Sequence, residues 1–113
     1  MKLPNHQTAV VPKAKITDYL LSVEHRDGRG KALFFTRFGF SMGDWQVLAA
    51  ALLEHAAGHE VVRAEQTSFG VRYIIEGSIQ APDGRTPLIR TVWFLETGDE
   101  VPRFVTAYPL ARG

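Results

Sequence analysis

The sequence predicts an α+β fold in which N-terminal helices pack on a four-stranded antiparallel meander sheet. Two observations predict it. Apolar residues recur at helical spacing up to Gly58, and from Glu60 onward the period changes to two. The four strand-like runs that follow are joined by polar turns too short for parallel crossovers, so successive strands run antiparallel. A length of 113 residues with 45% hydrophobic and 22% charged content suits one soluble domain, residues 1–113. Its helical half spans about 12–58 and its sheet half about 60–110.

Residues 7–11 read as an extended or irregular lead ending at Pro12. Ile16, Tyr19 and Leu20 then fall on one face of a short helix over 15–21. Residues 24–30 are polar, hold two glycines and break the pattern. A second helix is expected over about 31–38, with Ala32, Phe35 and Phe38 on one face and Gly39 supplying the left-handed stop. Ser41 reads as the N-cap of a third helix, with Asp44 in its first turn. Trp45, Leu48, Ala49, Leu52, Leu53 and Ala56 make the apolar stripe of that helix, so Trp45 is assigned to the core. Strands follow over 60–66, 71–79, 87–96 and 103–110, with a tight turn at Thr67-Ser68-Phe69-Gly70 and a hairpin loop at Ala81-Pro82-Asp83-Gly84-Arg85. In the second strand Val71, Tyr73, Ile75 and Ile79 share a face, opposite Arg72, Ile74, Glu76 and Ser78. The faces of the third strand are not assignable from its composition.

There is no cysteine, which excludes disulfides and thiolate metal sites. No apolar run approaches the roughly 18 residues of a spanning helix. The first fifteen residues lack a continuous apolar stretch and carry Pro4, so no signal peptide is read and a cytoplasmic location is expected. The formal charge of +1 lacks the basic excess of a generic nucleic-acid binder. Locally, Arg26, Arg29, Lys31 and Arg37 face only Asp27.

His55 and His59 are four residues apart, but HAAGH is not a helix-borne HExxH, and Gly58 falls where the helix ends. They read as surface histidines near a helix terminus, and neither metal nor cofactor is expected. Gly28-Arg29-Gly30-Lys31 is too short for a phosphate loop and follows no strand. His25, Arg29 and Lys31 gather where a helix begins, a place that suits an anion. Arg72 and Glu76 lie on the polar face of the second strand, and Arg90, Thr106 and Tyr108 join them if helices leave that face uncovered. Metal-free RNA cleavage requires such a set. A base takes the 2′-OH proton, cations stabilise the charged phosphorane, and an acid protonates the leaving 5′-oxygen. The same residues also fit plain cross-strand pairs on a wet face.

The runs Lys15-Ile16-Thr17-Asp18-Tyr19-Leu20-Leu21, Glu24-His25, Lys31-Ala32, Phe34-Phe35 and Gly39-Phe40 resemble the start of a family of small, uncharacterised bacterial domains. Tyr73-Ile74-Ile75-Glu76-Gly77, Pro82-Asp83-Gly84-Arg85, Arg90-Thr91-Val92-Trp93 and Val105-Thr106-Ala107-Tyr108-Pro109 extend the resemblance to about residue 110. The order of elements is similar to that of the barnase/EndoU/colicin/RelE-like ribonuclease toxin superfamily, whose open sheet face carries the active site. This resemblance implies a metal-independent endoribonuclease, the toxin of a bacterial toxin–antitoxin pair, with RNA as substrate and a small antitoxin-like protein as partner. Thr106, Tyr108 and Pro109 match the terminal strand motif, and His25 followed by Lys31 is similar to the helix-borne pair of the toxin group. The implied roles are His25 and Glu76 as acid and base in either order, and Lys31 and Arg90 on the phosphate. Thr106 and Tyr108 position it, and Arg29 and Arg72 contact substrate. The second histidine of an EndoU-type pair is missing. The alternative is a catalytically inactive module that holds a protein or RNA on the same face.

Overall fold

The computed structural model describes residues 1–110. Within the extended or irregular lead expected over 7–11, a 3₁₀ turn, His6–Thr8, comes first, and Val10 then pairs in parallel with Arg103. Helix α1 is an α-turn, Lys13–Lys15, running into a π-helical stretch, Ile16–Leu20. The wide turn closes through the Leu21 N–H to the Ile16 carbonyl at 2.8 Å. Helices α2 (Arg29–Arg37) and α3 (Trp45–Gly58) precede strands β1 (Val61–Gln66), β2 (Gly70–Ser78), β3 (Leu88–Glu96) and β4 (Arg103–Pro109). The sheet order is β1-β2-β3-β4 and every neighbouring pair is antiparallel, the meander expected.

Helix α2 begins two residues earlier than its apolar pattern suggested, because Gly28 already serves as its N-cap. It ends as expected. Gly39 takes φ 101°, and the N–H groups of Gly39 and Phe40 bond the carbonyls of Thr36 and Phe35. That is the Schellman arrangement, which satisfies the last carbonyls of the helix. The N-cap assignment at Ser41 does not hold. Its Oγ accepts the Asp44 N–H at 3.3 Å within a turn, and the helix starts only at Trp45, with Asp44 as N-cap. Gly43, a poor helix former, lies between the two.

One face of the sheet carries Tyr73 and Ile75 from β2 and Ile79 just past its end, Ile89, Thr91 and Trp93 from β3, and Phe104 and Ala107 from β4, all buried. Leu48, Leu52, Phe35, Ile16 and Leu20 join that face in one core, and Trp45, Phe38 and Val71 pack at its margin. Trp93 meets Phe104 edge-on at 5.4 Å between centroids. Burial of this apolar area is the main stabilising term.

The other face is set by register. Its rungs are Glu76–Arg90–Tyr108, then Ile74–Val92–Thr106, then Arg72–Phe94–Arg103. Strict alternation would place Phe104, Thr106 and Tyr108 on one side. An irregularity between Val92 and Trp93, where the partner jumps from Thr106 to Phe104, makes Val105 a bulge residue. One extra residue reverses the parity. Phe104 therefore enters the core while Thr106 and Tyr108 stand on the open face.

Candidate functional site

The site is built where α1 and the start of α2 meet β4. Lys31, in the first turns of α2, extends its Nζ to Thr106 Oγ1 at 2.7 Å and also donates to Tyr19 Oη. Tyr19 Oη and Thr106 Oγ1 share a further hydrogen bond at 2.8 Å. The ammonium lies 4.7 Å from the Tyr19 ring centroid and 5.5 Å from that of Tyr108. The Arg90 guanidinium carbon is also 5.5 Å from the Tyr108 ring centroid. Arg90 donates through Nε to Glu76 Oε2 at 2.6 Å, pairs with that oxygen again through Nη2, and reaches Tyr108 Oη at 3.4 Å. Lys31, Thr106, Tyr108, Arg90 and Glu76 thus form one continuous polar strip with two cations.

His25 reaches the strip through Tyr19, against which its ring packs edge-on at 4.9 Å. Its Nδ1 accepts the backbone N–H groups of Asp27 and Gly28 at 3.0 and 3.1 Å. In that tautomer the ring proton is on Nε2. Gly28 is required for this loop to close. A Cβ there would lie 2.0 Å from the Tyr19 carbonyl oxygen. His25, Tyr19, Lys15, Asp18, Val105 and Thr106 line an open cleft of about 710 Å³ beside the strip.

Two expected residues do not join the cluster. Arg29 is exposed at the head of α2 and its side chain makes no hydrogen bond or ion pair among the described residues. Arg72 is on the open face but two rungs from Glu76, about 13 Å along the strand, and pairs with Glu65 at 3.9 Å. Tyr19 is the residue that sequence reasoning missed. Its place at i+3 from Ile16 makes it look like core, and only its proximity to Lys15 in sequence hinted otherwise. Burial alone would raise its pKa. The hydrogen bonds from Lys31 and Thr106 and the charges of Lys31 and Lys15 outweigh burial, so the phenol is more acidic than usual. For Arg90, the bond to Tyr108 and then that to Glu76 favour the charged form, so it remains a cation.

The histidine pair is not on the surface, as its spacing had suggested. His55 is 2% exposed, and His59 is half-buried. Trp93 Nε1 donates to Thr91 Oγ1 at 2.9 Å, and Thr91 Oγ1 lies 3.2 Å from His55 Nδ1. His55 Nε2 lies 3.3 Å from the Gly77 carbonyl. The Gly77 carbonyl can only accept, so His55 Nε2–H donates to it, and Nδ1 of the neutral ring is left to accept from the Thr91 hydroxyl. Burial, and secondarily the neighbouring His59, lowers the His55 pKa to about 4, so the ring is neutral near pH 7. Both nitrogens are engaged inside the core. Among the described residues no cluster of three or more His, Cys, Asp or Glu is arranged to hold a metal ion. Nor is any helix there long and apolar enough to cross a membrane.

The model of the domain of unknown function DUF6883 matches residues 2–111, almost the whole chain. The chain belongs to the DUF6883 family. No curated protein matches the sequence significantly. Among solved structures, this DUF6883 domain is similar to a chain of a contact-dependent growth inhibition toxin–immunity protein complex from Klebsiella pneumoniae 342. The TM-score is 0.72 at 19% identity, over 95% of this chain and 97% of that one. At that identity the likeness is one of fold, and it includes the helices and sheet that carry the polar strip.

Proposed function

We propose that this DUF6883 domain is a metal-independent endoribonuclease that acts as a growth-inhibiting toxin and is held in check by a small protein partner. The observation that carries the reading is the convergence of Lys31 and Arg90, from α2 and β3, on the Tyr108 ring. Hydroxyls and a carboxylate adjoin both cations. The fold shared with a chain of a toxin–immunity protein complex supports the toxin role.

In this reading an RNA phosphate sits between Lys31 and Arg90, displacing part of their mutual contacts with Tyr108. Glu76 takes the 2′-OH proton. The geometry favours Glu76 over His25 as base, since the Nδ1 lone pair of His25 is already occupied and Nε2–H is a donor. The 2′-oxygen forms its bond to phosphorus as the bond to the 5′-oxygen breaks, leaving a 2′,3′-cyclic phosphate and a 5′-hydroxyl. The leaving oxygen receives its proton from Tyr19, whose acidity Lys31 increases. Lys31 and Arg90 stabilise the phosphorane charge, and Thr106 and Tyr108 fix its position. His25 Nε2–H contributes a further hydrogen bond.

The test is cleavage of total RNA in excess chelator, with end-group analysis, alongside growth on induced expression. Wild type should cleave and arrest growth, and Lys31→Met or Arg90→Met should lower the rate by about 10²–10³ with folding intact. Cleavage that requires a divalent ion, or no cleavage and no toxicity from folded wild type, refutes the reading. The second outcome favours a binding module on the same face.

A further inference from the structure

We propose that the open sheet face carries a nucleobase subsite. Phe94 is the stacking platform for a flanking base, one nucleotide beyond the two that adjoin the cleaved bond, and Arg72 and Arg103 hold the phosphates beside that base. The inference rests on the ribonuclease reading for the place of the scissile phosphate, at Lys31 and Arg90.

Phe94 occupies the third rung of the open face, directly between Arg72 on β2 and Arg103 on β4. Its ring extends diagonally over Gly70, where a Cβ would come within 2.9 Å of Phe94 Cζ. The missing side chain lets the ring lie down on the sheet. Phe94 is only half-buried, and it is not among the apolar residues that pack against the core. A large aromatic on a wet face, held low by a glycine and flanked by two guanidiniums, needs a partner with a π-surface and negative charge. A nucleotide has both. Base–aromatic stacking on an open sheet and arginines along the backbone are how single-stranded RNA is commonly bound.

Spacing supports this order. The rung Ile74–Val92–Thr106 separates the platform from Glu76–Arg90–Tyr108, and each rung is about 7 Å from the next. The reach of a dinucleotide spans that gap. Ile74, half-buried, offers an apolar contact for a ribose between the two polar ends, beside Val92, which is buried. The acidic groups at this end are Glu96, exposed two residues beyond Phe94 on the same face, and Glu65, which pairs with Arg63 at 3.0 Å and with Arg72 at 3.9 Å. Arg103 has no ion pair among the described residues. Arg72, apart from the catalytic strip, thereby acquires a role consistent with its position.

The probe is a short oligoribonucleotide carrying 2-aminopurine, whose fluorescence is quenched on stacking, titrated into the slow-cleaving Lys31→Met protein within a time shorter than its turnover. Saturable quenching is expected. Phe94→Leu, which still covers Gly70, should abolish the quenching and weaken binding by about 5–150-fold, the range for one aromatic–base stack. Phe94→Trp should restore both. Arg72→Gln with Arg103→Gln, which leaves the ring in place, should reduce the salt slope of binding by about 1–2. In active protein, Phe94→Leu should lower kcat/KM on the oligonucleotide by the same factor and leave that on a dinucleotide without the flanking base unchanged. Unaltered quenching and affinity in Phe94→Leu, or equal losses in Leu and Trp variants, overturn the subsite. Binding is read without turnover, so the two ideas fail separately. Phe94-dependent quenching by a wild type that cleaves nothing refutes the nuclease and keeps the platform.

Discussion

His55 makes the stability of this domain sensitive to mild acid. The ring is buried and neutral, with the Thr91 hydroxyl donating to one nitrogen and the other donating to the Gly77 carbonyl. Protonation would place an N–H against a hydroxyl already held by Trp93, and a charge inside the core. Its midpoint is lowered from 6.5 to about 4. In the unfolded chain the imidazole titrates at its ordinary value, so between those limits the unfolded state binds more protons than the folded one. Stability therefore rises with pH across this window and is lost as pH falls from about 6.5 toward 4. At about 1.4 kcal/mol per pH unit, the displacement corresponds to roughly 3 kcal/mol in all. The perturbation is His55→Gln, which keeps a donor and an acceptor but does not titrate. Urea unfolding of both proteins from pH 7 to 4 isolates the histidine, because the carboxylates contribute equally to each and cancel in the difference. Wild type should lose about 3 kcal/mol more than the variant over this range. Parallel stability–pH curves, or an NMR titration of His55 with its midpoint above 6, would refute the reasoning.

Leu52 is fully buried against the sheet, and Leu52→Ala should cost about 2–5 kcal/mol in chemical denaturation. A loss under about 1 kcal/mol would show that the site collapses without a cavity. Gly28→Ala should destabilise the domain by about 1–3 kcal/mol, because its Cβ meets the Tyr19 carbonyl. It should also reduce cleavage more than stability alone explains, since the His25 loop must lift away from Tyr19. For Tyr19, removing the Lys31 charge and hydrogen bond should raise the phenol pKa, so Lys31→Met should move tyrosinate formation to higher pH in a UV difference titration. No movement, with the protein still folded, would mean that Lys31 does not govern that hydroxyl.

The fold was legible because its signals are local. The helical stripe of α3 ends at Gly58, Gly39 supplies the positive φ that closes α2, and short polar turns separate four strands. Each depends on neighbours in sequence, where backbone sterics and apolar spacing act directly. The residue types of the site were legible too. Lys31, Arg90, Thr106, Tyr108 and Glu76 could be named as a set, but not connected, because register and a strand edge decide who meets whom. Period-two counting alone would have put Thr106 and Tyr108 beside Phe104. The bulge at Val105 separates them, and a single extra residue leaves no mark in composition. His55 and His59 share one spacing whether a helix end is wet or buried, so only packing against β2 and β3 placed His55 in the core. Tyr19 carries both an apolar ring and a polar tip. Its sequence position determined the first, and the approach of α2 to β4 decided where the second would bond.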